Sequence, residues 1–257
     1  MVIALLQPLR NFLAVLGGMG RFVGEIGRAL MSPPFFFEET LQALYKVAFQ
    51  CLVPVLAIMT AVGMIGALQG LAVIRMFGAD QVLSSLLAES ILREMAPTLS
   101  AIMIAAQAGT AIAGEIGTMR VKEEIDALGV MAVRPVHFVV VPRLLALVIA
   151  CPLISLFGSV AGMAGGYMVA VWLKGVTKGV FIANLLDYVH MNVIYEGLLK
   201  SLVFGALIGL IASYYGYNVT GGAQGVGRAA NRTVVHSIVA IAISNYFLTV
   251  WLLKVLG

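Results

Sequence analysis

One stretch, Glu115–Pro135 with the sequence EIGTMRVKEEIDALGVMAVRP, holds the densest group of charges in this chain. Five of its charges fall within seven positions, with a long uncharged run on either side: Arg120, Lys122, Glu123, Glu124 and Asp126. The rest of the chain is mainly apolar, since 61% of all residues are hydrophobic and only 11% are charged. A single charge at the centre of a bilayer costs about 3 kcal/mol or more. The stretch is therefore predicted to lie outside the membrane, between two membrane-spanning segments.

The same stretch has a helical pattern of its own. Apolar residues recur near the helical period from Ile116 to Met131, and the charges occupy the other faces. Thr118 is predicted as the N-cap and Gly129 as the C-terminal stop, and Pro135 closes the unit. A short amphipathic helix held outside the membrane is either a docking element for a partner or a simple surface segment. The pattern alone favours the surface segment.

The composition of the whole chain predicts an all-α integral membrane protein with a single domain, residues 1–257. The mean hydropathy is +1.02, and no stretch has the composition of a soluble domain. The net charge of +4 does not indicate a nucleic-acid partner, because the basic residues are scattered at the ends of apolar runs. Cys51 and Cys151 lie inside apolar runs, so they are predicted as core residues rather than as a disulfide or metal ligands.

Residues 1–31 are predicted to form an amphipathic helix that lies in the plane of the membrane surface. Its polar stripe consists of residues spaced three, four or seven apart: Gln7, Arg10, Asn11, Gly17, Gly18, Arg21, Glu25 and Arg28. Its apolar side consists of Leu5, Leu6, Leu9, Phe12, Leu13, Leu16, Met19, Phe22, Val23 and Ile26. The sequence Ser32-Pro33-Pro34 is predicted to end the helix.

Five uncharged runs follow, and each reaches the roughly 20 residues that cross a bilayer. They lie between Lys46 and Arg75, Glu94 and Glu115, Arg143 and Lys174, Lys200 and Arg228, and Arg232 and Lys254. An earlier start of the second run, near Ser84, would place Glu89, Arg93 and Glu94 within the membrane or at its edge. The fourth run is apolar only to Tyr217, and residues 218–227 are predicted as a loop.

The distribution of basic residues predicts the orientation of the spans. One side holds ten of them: Arg10, Arg21, Arg28, Lys46, Arg120, Lys122, Arg134, Arg143, Arg228 and Arg232. The other side holds six: Arg75, Arg93, Lys174, Lys178, Lys200 and Lys254. The first side, which includes the N-terminus and Glu115–Pro135, is therefore predicted to be cytoplasmic. An odd number of spans then places the C-terminus outside.

Three blocks of sequence carry a resemblance to a known family. They are Leu92-Arg93-Glu94-x-x-Pro97, then the Glu115–Pro135 stretch, then Gly225-Val-Gly-Arg228-Ala-x-x-Arg232-x-Val-Val235. Their order and spacing resemble the MlaE (YrbE) family of ABC-transporter permeases, over nearly the whole chain. The family usually has Arg in an Ala-Gly-Arg-x-Gly stretch before the central block, whereas this chain has Gln107 there.

The resemblance implies a homodimer in a bacterial inner membrane that moves phospholipids or related lipids. It further implies a separate cytoplasmic ABC ATPase that binds ATP and Mg²⁺, an MCE-domain protein on the outer side, and a small cytoplasmic accessory subunit as an optional component. The Glu115–Pro135 helix would then be the coupling helix that sits in a cleft of the ATPase. The implied coupling residues are Glu115, Thr118, Arg120, Glu123, Glu124 and Asp126. The chain itself has no G-x-x-x-x-G-K-[ST] motif for binding ATP.

Arg93 and Glu94 are the candidate lipid-binding residues. A guanidinium offers paired donors to phosphate oxygens, so Arg93 is predicted to meet a lipid phosphate while Glu94 holds it or lines the pocket. The alternative is an ion pair between the two residues at the membrane edge, and both hypotheses stay open. Gln69 is a weaker candidate for the same cavity, because a hydrogen bond between helices is the favoured explanation of this residue.

Two other classes of function compete with an ABC permease. An ion-coupled secondary transporter needs ionisable residues at mid-membrane, and the middles of these runs contain essentially none. A membrane scaffold that transports nothing would leave lipid distribution unchanged when it is lost.

Overall fold

The computed structural model describes residues 17–30, 36–74, 76 and 82–256, and the secondary structure in these ranges is helical. The helices, in chain order, are α1 (17–30), α2 (Phe37–Ile74), α3 (Leu83–Val121), α4 (Glu124–Val130), α5 (Val136–Leu173), α6 (Lys178–Tyr188), α7 (Met191–Tyr217) and α8 (Gly222–Leu256). Helices α3 and α5 include short π-helical segments. The predictions for residues 1–16, for Ser32-Pro33-Pro34 and for Arg75 fall outside the described residues.

Five of these helices, α2, α3, α5, α7 and α8, are long and apolar enough to cross a membrane. The prediction of an all-α polytopic membrane protein with five spans is therefore confirmed. Helix α3 begins at Leu83, so the early start near Ser84 is correct, and α7 ends at Tyr217 as predicted.

The predicted loop over residues 218–227 is wrong in its second half, because α8 already begins at Gly222. Gly221 and Gly222 make the turn, with φ angles of 88° and 65° that suit glycine. A Cβ on Gly225 would lie 2.1 Å from the Thr220 carbonyl oxygen. The glycines of this segment thus permit a tight turn and a close approach of the backbone in place of a longer loop.

Glycines also set the distance between α2 and α5. A Cβ on Gly63 would lie 1.8 Å from the carbonyl oxygen of Gly162, and one on Gly165 would lie 2.3 Å from that of Thr60. A side chain at either glycine would therefore separate the two backbones. Small residues at such positions let spans pack closely where no hydrophobic effect drives association.

Successive spans alternate in direction, so the bundle has two ends. The Arg120 end contains α1, α4 and the turn between α7 and α8, and the Arg93 end contains α6. Helix α1 packs at the Arg120 end, where the Phe22 ring lies 5.9 Å from the Tyr214 ring. Phe22 and Ile26 are buried and Arg21 is exposed, which confirms the amphipathic pattern for residues 17–30. Val23, predicted on the apolar side, is exposed.

Candidate functional site

Arg93 and Glu94 lie in a π-helical segment of α3, Ile91–Met95, which begins about two turns after the start of the helix at Leu83. Such segments inside α-helices occur frequently at functional sites. Neighbouring residues on a helix point roughly 100° apart, so the two side chains reach different partners. Those partners come from α7, from α8 and from α3 itself, and together they form a network of charges in the helix bundle.

The guanidinium of Arg93 is held by two carboxylates. Its Nε donates to Glu196 Oε2 at 2.7 Å and its Nη2 donates to Glu196 Oε1 at 3.2 Å, which is a bidentate arrangement. Its Nη1 donates to Glu89 Oε1 at 3.1 Å, one turn earlier on α3. A guanidinium has five N–H donors, so the bonds among the described residues leave two of them unused.

Glu94 is held by Lys200, whose side chain is only 1% exposed. The Lys200 ammonium donates to Glu94 Oε1 at 2.6 Å, to the Arg93 carbonyl at 3.0 Å and to Thr249 Oγ1 at 2.8 Å. These bonds use all of its three donors. Asn245 Nδ2 donates to the other oxygen, Glu94 Oε2, at 3.0 Å. Lys200 is thus a fully satisfied residue that joins α3, α7 and α8.

The structure corrects two of our predictions about these charges. Arg93 and Glu94 do not pair with each other, since each binds a residue of α7. The fourth span, predicted to start after Lys200, begins at Met191, so Glu196 and Lys200 are buried within α7. They lie four positions apart, so both project from one face of the helix. That spacing was the signal in the sequence that could have revealed them.

The network contains three carboxylates and two cations: Glu89, Glu94, Glu196, Arg93 and Lys200. Glu89 is the most open of the acids, with 42% of its side chain exposed. Burial, and then the negative charge of Glu89, raise the pKa of the Tyr188 phenol. The surplus negative charge thus lies at the exposed edge of the network.

Gln69 is not brought together with Arg93 and Glu94. It is exposed on α2 and lines an apolar groove of about 340 Å³ between α2 and α3, alongside residues such as Leu86 and Met95. The residues of the charged network are not among those that line this groove.

The predicted coupling residues divide into two groups at the Arg120 end. Glu115 lies inside α3 rather than in a separate helix, and its carboxylate pairs with Lys46 of α2 and with Arg143 of α5. Thr118 is also inside α3, where its hydroxyl donates to the Gly114 carbonyl at 2.7 Å. The prediction of Thr118 as an N-cap is therefore wrong, because the helix continues through it to Val121.

A separate short helix does follow. Lys122 and Glu123 form the turn, with Glu123 in the left-handed region at φ 61°, and α4 then runs over Glu124–Val130. Ile125 anchors α4 in the core, and Arg120 Nη1 donates to Asp126 Oδ1 at 2.5 Å across the turn.

Most of the remaining surface around α4 faces away from the bundle. Its exposed charged residues are Lys122, Glu123, Glu124 and Asp126. Two large apolar residues at its tip, Val130 and Met131, are also exposed. The helix ends one residue after the predicted stop at Gly129. An exposed patch that combines charges with large apolar side chains is suited to a protein partner.

Comparison with known proteins places this arrangement in a family. The family described as permease MlaE matches residues 40–251, which include all five spans except the ends of α2 and α8. The chain belongs to the MlaE permease family. It is therefore a subunit of the ABC-transporter permease class, whose members are not themselves catalytic.

Curated relatives match this MlaE-family permease over most of its length. The intermembrane phospholipid transport system permease protein MlaE of Haemophilus influenzae is 32% identical over 251 residues, covering 93% of this chain and 96% of that one. A probable ABC transporter permease of Rickettsia typhi is 35% identical over 228 residues, 88% of each chain. The chloroplastic protein TRIGALACTOSYLDIACYLGLYCEROL 1 of Arabidopsis thaliana is 31% identical over 88% of this chain and 65% of that one.

Proposed function

We propose that this permease moves phospholipids between a bacterial inner membrane and an MCE-domain protein on its outer side. It acts as a homodimer, driven by a cytoplasmic ABC ATPase that binds ATP and Mg²⁺, with a small cytoplasmic accessory subunit as an optional component. The name of the Haemophilus relative, an intermembrane phospholipid transport permease, supports the choice of substrate. Membership of an ABC-transporter family favours ATP over an ion gradient as the energy source.

The observation that carries this proposal is the guanidinium of Arg93. Two carboxylates hold it in place, and the bonds formed within the described part of the chain leave two of its N–H groups for a ligand. Phosphate oxygens match the paired N–H groups of a guanidinium. Because the network has a surplus carboxylate, a headgroup that carries an ammonium as well as a phosphate fits best, with its ammonium beside Glu89. The apolar groove lined by Gln69 is where we place an acyl chain.

A test of the phosphate contact must avoid leaving Glu196 without a partner, because its side chain is only 2% exposed. The double variant Arg93→Gln, Glu196→Gln removes both charges together, and Glu196→Gln alone is the matched control. A photo-cross-linking amino acid at Leu86, seven residues before Arg93 on α3, reports phospholipid capture. We expect the double variant to capture about tenfold less lipid, since a charge-assisted hydrogen bond contributes about 1.5–3 kcal/mol.

The control should capture as much phospholipid as the parent protein, because Arg93 keeps its charge and gains free donors. Both variants should still co-purify with the ATPase. Undiminished capture by a folded, assembled double variant would rule out phosphate binding at Arg93.

We place the Arg120 end in the cytoplasm, with the N-terminus there and the C-terminus outside. The excess of basic residues at this end supports that orientation. Asp126 in α4 and Lys178 in α6 are both exposed and lie at opposite ends of the bundle. Single cysteines at these positions, in a background without Cys51 and Cys151, should react with a membrane-impermeant reagent from opposite sides. Labelling of both from one side would contradict this topology.

A further inference from the structure

A second cavity, of about 280 Å³, lies between α2, α3 and α5 at the Arg120 end. We propose that it binds the phosphate of a phospholipid from the leaflet at that end, with the start of an acyl chain along its apolar wall. This site is separate from the Arg93 network and lies at the opposite membrane surface. It does not depend on transport, because a lipid bound here would be held whether or not the protein moves lipids.

The polar wall of the cavity supplies donors for a phosphate. The Glu115 carboxylate lies between two cations and orients both of them. It pairs with the Lys46 ammonium, and its Oε2 lies 3.5 Å from Arg143 Nε. Arg143 Nη1 also donates to the Val139 carbonyl at 2.7 Å. Among the described residues, these contacts leave Arg143 Nη2 and two of the Lys46 N–H groups for a ligand. A guanidinium anchored in this way is already arranged to receive phosphate oxygens.

The opposite wall is apolar and suits the first carbons of an acyl chain. It is formed by Val47, Ala108, Ala111, Ile112, Met119, Phe138, Val139 and Pro142. A free phosphate ion gains nothing from such a wall, whereas a phospholipid uses both walls at once. The cavity also lies near the ends of three spans, which is the depth at which lipid headgroups meet the protein.

The charges of this cavity differ from those of the Arg93 network. Glu39 and Glu115 are matched by Lys46 and Arg143, so the lining carries no surplus negative charge. A phosphate without a neighbouring ammonium is therefore accepted more readily here than beside Glu89. Phosphatidylglycerol, whose headgroup carries a phosphate and no ammonium, is for this reason the probe of choice.

The test uses the full chain, purified in detergent, and a photoactivatable phosphatidylglycerol at a subsaturating concentration. Mass spectrometry locates the cross-linked residues. In the parent protein we expect cross-links on the cavity-lining parts of α2 and α3. Arg143→Gln should reduce these cross-links about tenfold, the effect of losing one charge-assisted contact. Lys122→Gln removes the same charge from an exposed turn at the same end, so it should leave them unchanged.

A second variant fills the cavity without altering its charges. Ala111→Phe should also abolish the cross-links, and a monodisperse elution profile shows that it is folded. Parent-level cross-linking in either Arg143→Gln or Ala111→Phe would overturn the proposal, as would displacement of the probe by millimolar inorganic phosphate. Cross-links near Arg93 report the transport site separately, so the failure of one proposal is distinguishable from the failure of the other.

Discussion

Lys200→Met is expected to lower the free energy of unfolding of the helix bundle by about 3 kcal/mol. Removing one partner of a buried ion pair typically costs about 3–5 kcal/mol, because the other charge stays buried without compensation. Here Glu94 keeps its bonds from Asn245 and Thr249 and is partly exposed, which places the effect at the lower end of that range. The Arg93 carbonyl also loses its bond from Lys200.

Unfolding of the purified protein in mixed micelles with increasing denaturing detergent measures this change. Lys254→Met is the matched control, because Lys254 is an exposed lysine near the same end of the bundle. Adding Glu94→Gln to Lys200→Met should recover part of the loss, since no unpaired carboxylate then remains. A stability of Lys200→Met equal to that of the control would show that the network does not join the three helices.

Charge reversal by Glu123→Lys together with Glu124→Lys is expected to abolish the lipid-stimulated ATPase activity of the assembled transporter. Both carboxylates lie on the exposed surface around α4, where we propose that the ATPase docks. Reversing charges at a matched interface places like charges against each other, which costs several kcal/mol. The permease itself should change in stability by less than about 0.5 kcal/mol, because both residues are on its surface.

The control for this experiment is the double variant Glu25→Lys, Glu38→Lys. It makes the same change in net charge on exposed residues at the same end, in α1 and at the start of α2. Its ATPase activity should match that of the parent complex. Full lipid-stimulated activity in the Glu123→Lys, Glu124→Lys complex would show that α4 is not the coupling element.

The number of the spans and their approximate positions followed from the sequence because they depend on local properties. A run of about 20 apolar residues must cross the hydrocarbon, and a dense group of charges must leave it. The five spans and the short helix around Ile125 were therefore predictable without any knowledge of how the helices pack. The prediction of Thr118 as an N-cap was wrong because the local pattern is helical on both sides of the turn. It does not show where the long helix ends and the short one begins.

The partners of the charges were decided only by the tertiary structure. Arg93 meets Glu196 and Glu94 meets Lys200 across more than a hundred residues of sequence. In the sequence, the charges of α7 mark the end of an apolar run, because a lone charge in the membrane is costly. Packing α3 against α7 and α8 lets each charge find an opposite one, and that pairing offsets the cost of burial. Sequence alone thus determined which segments enter the membrane, and helix contacts determined which charges enter with them.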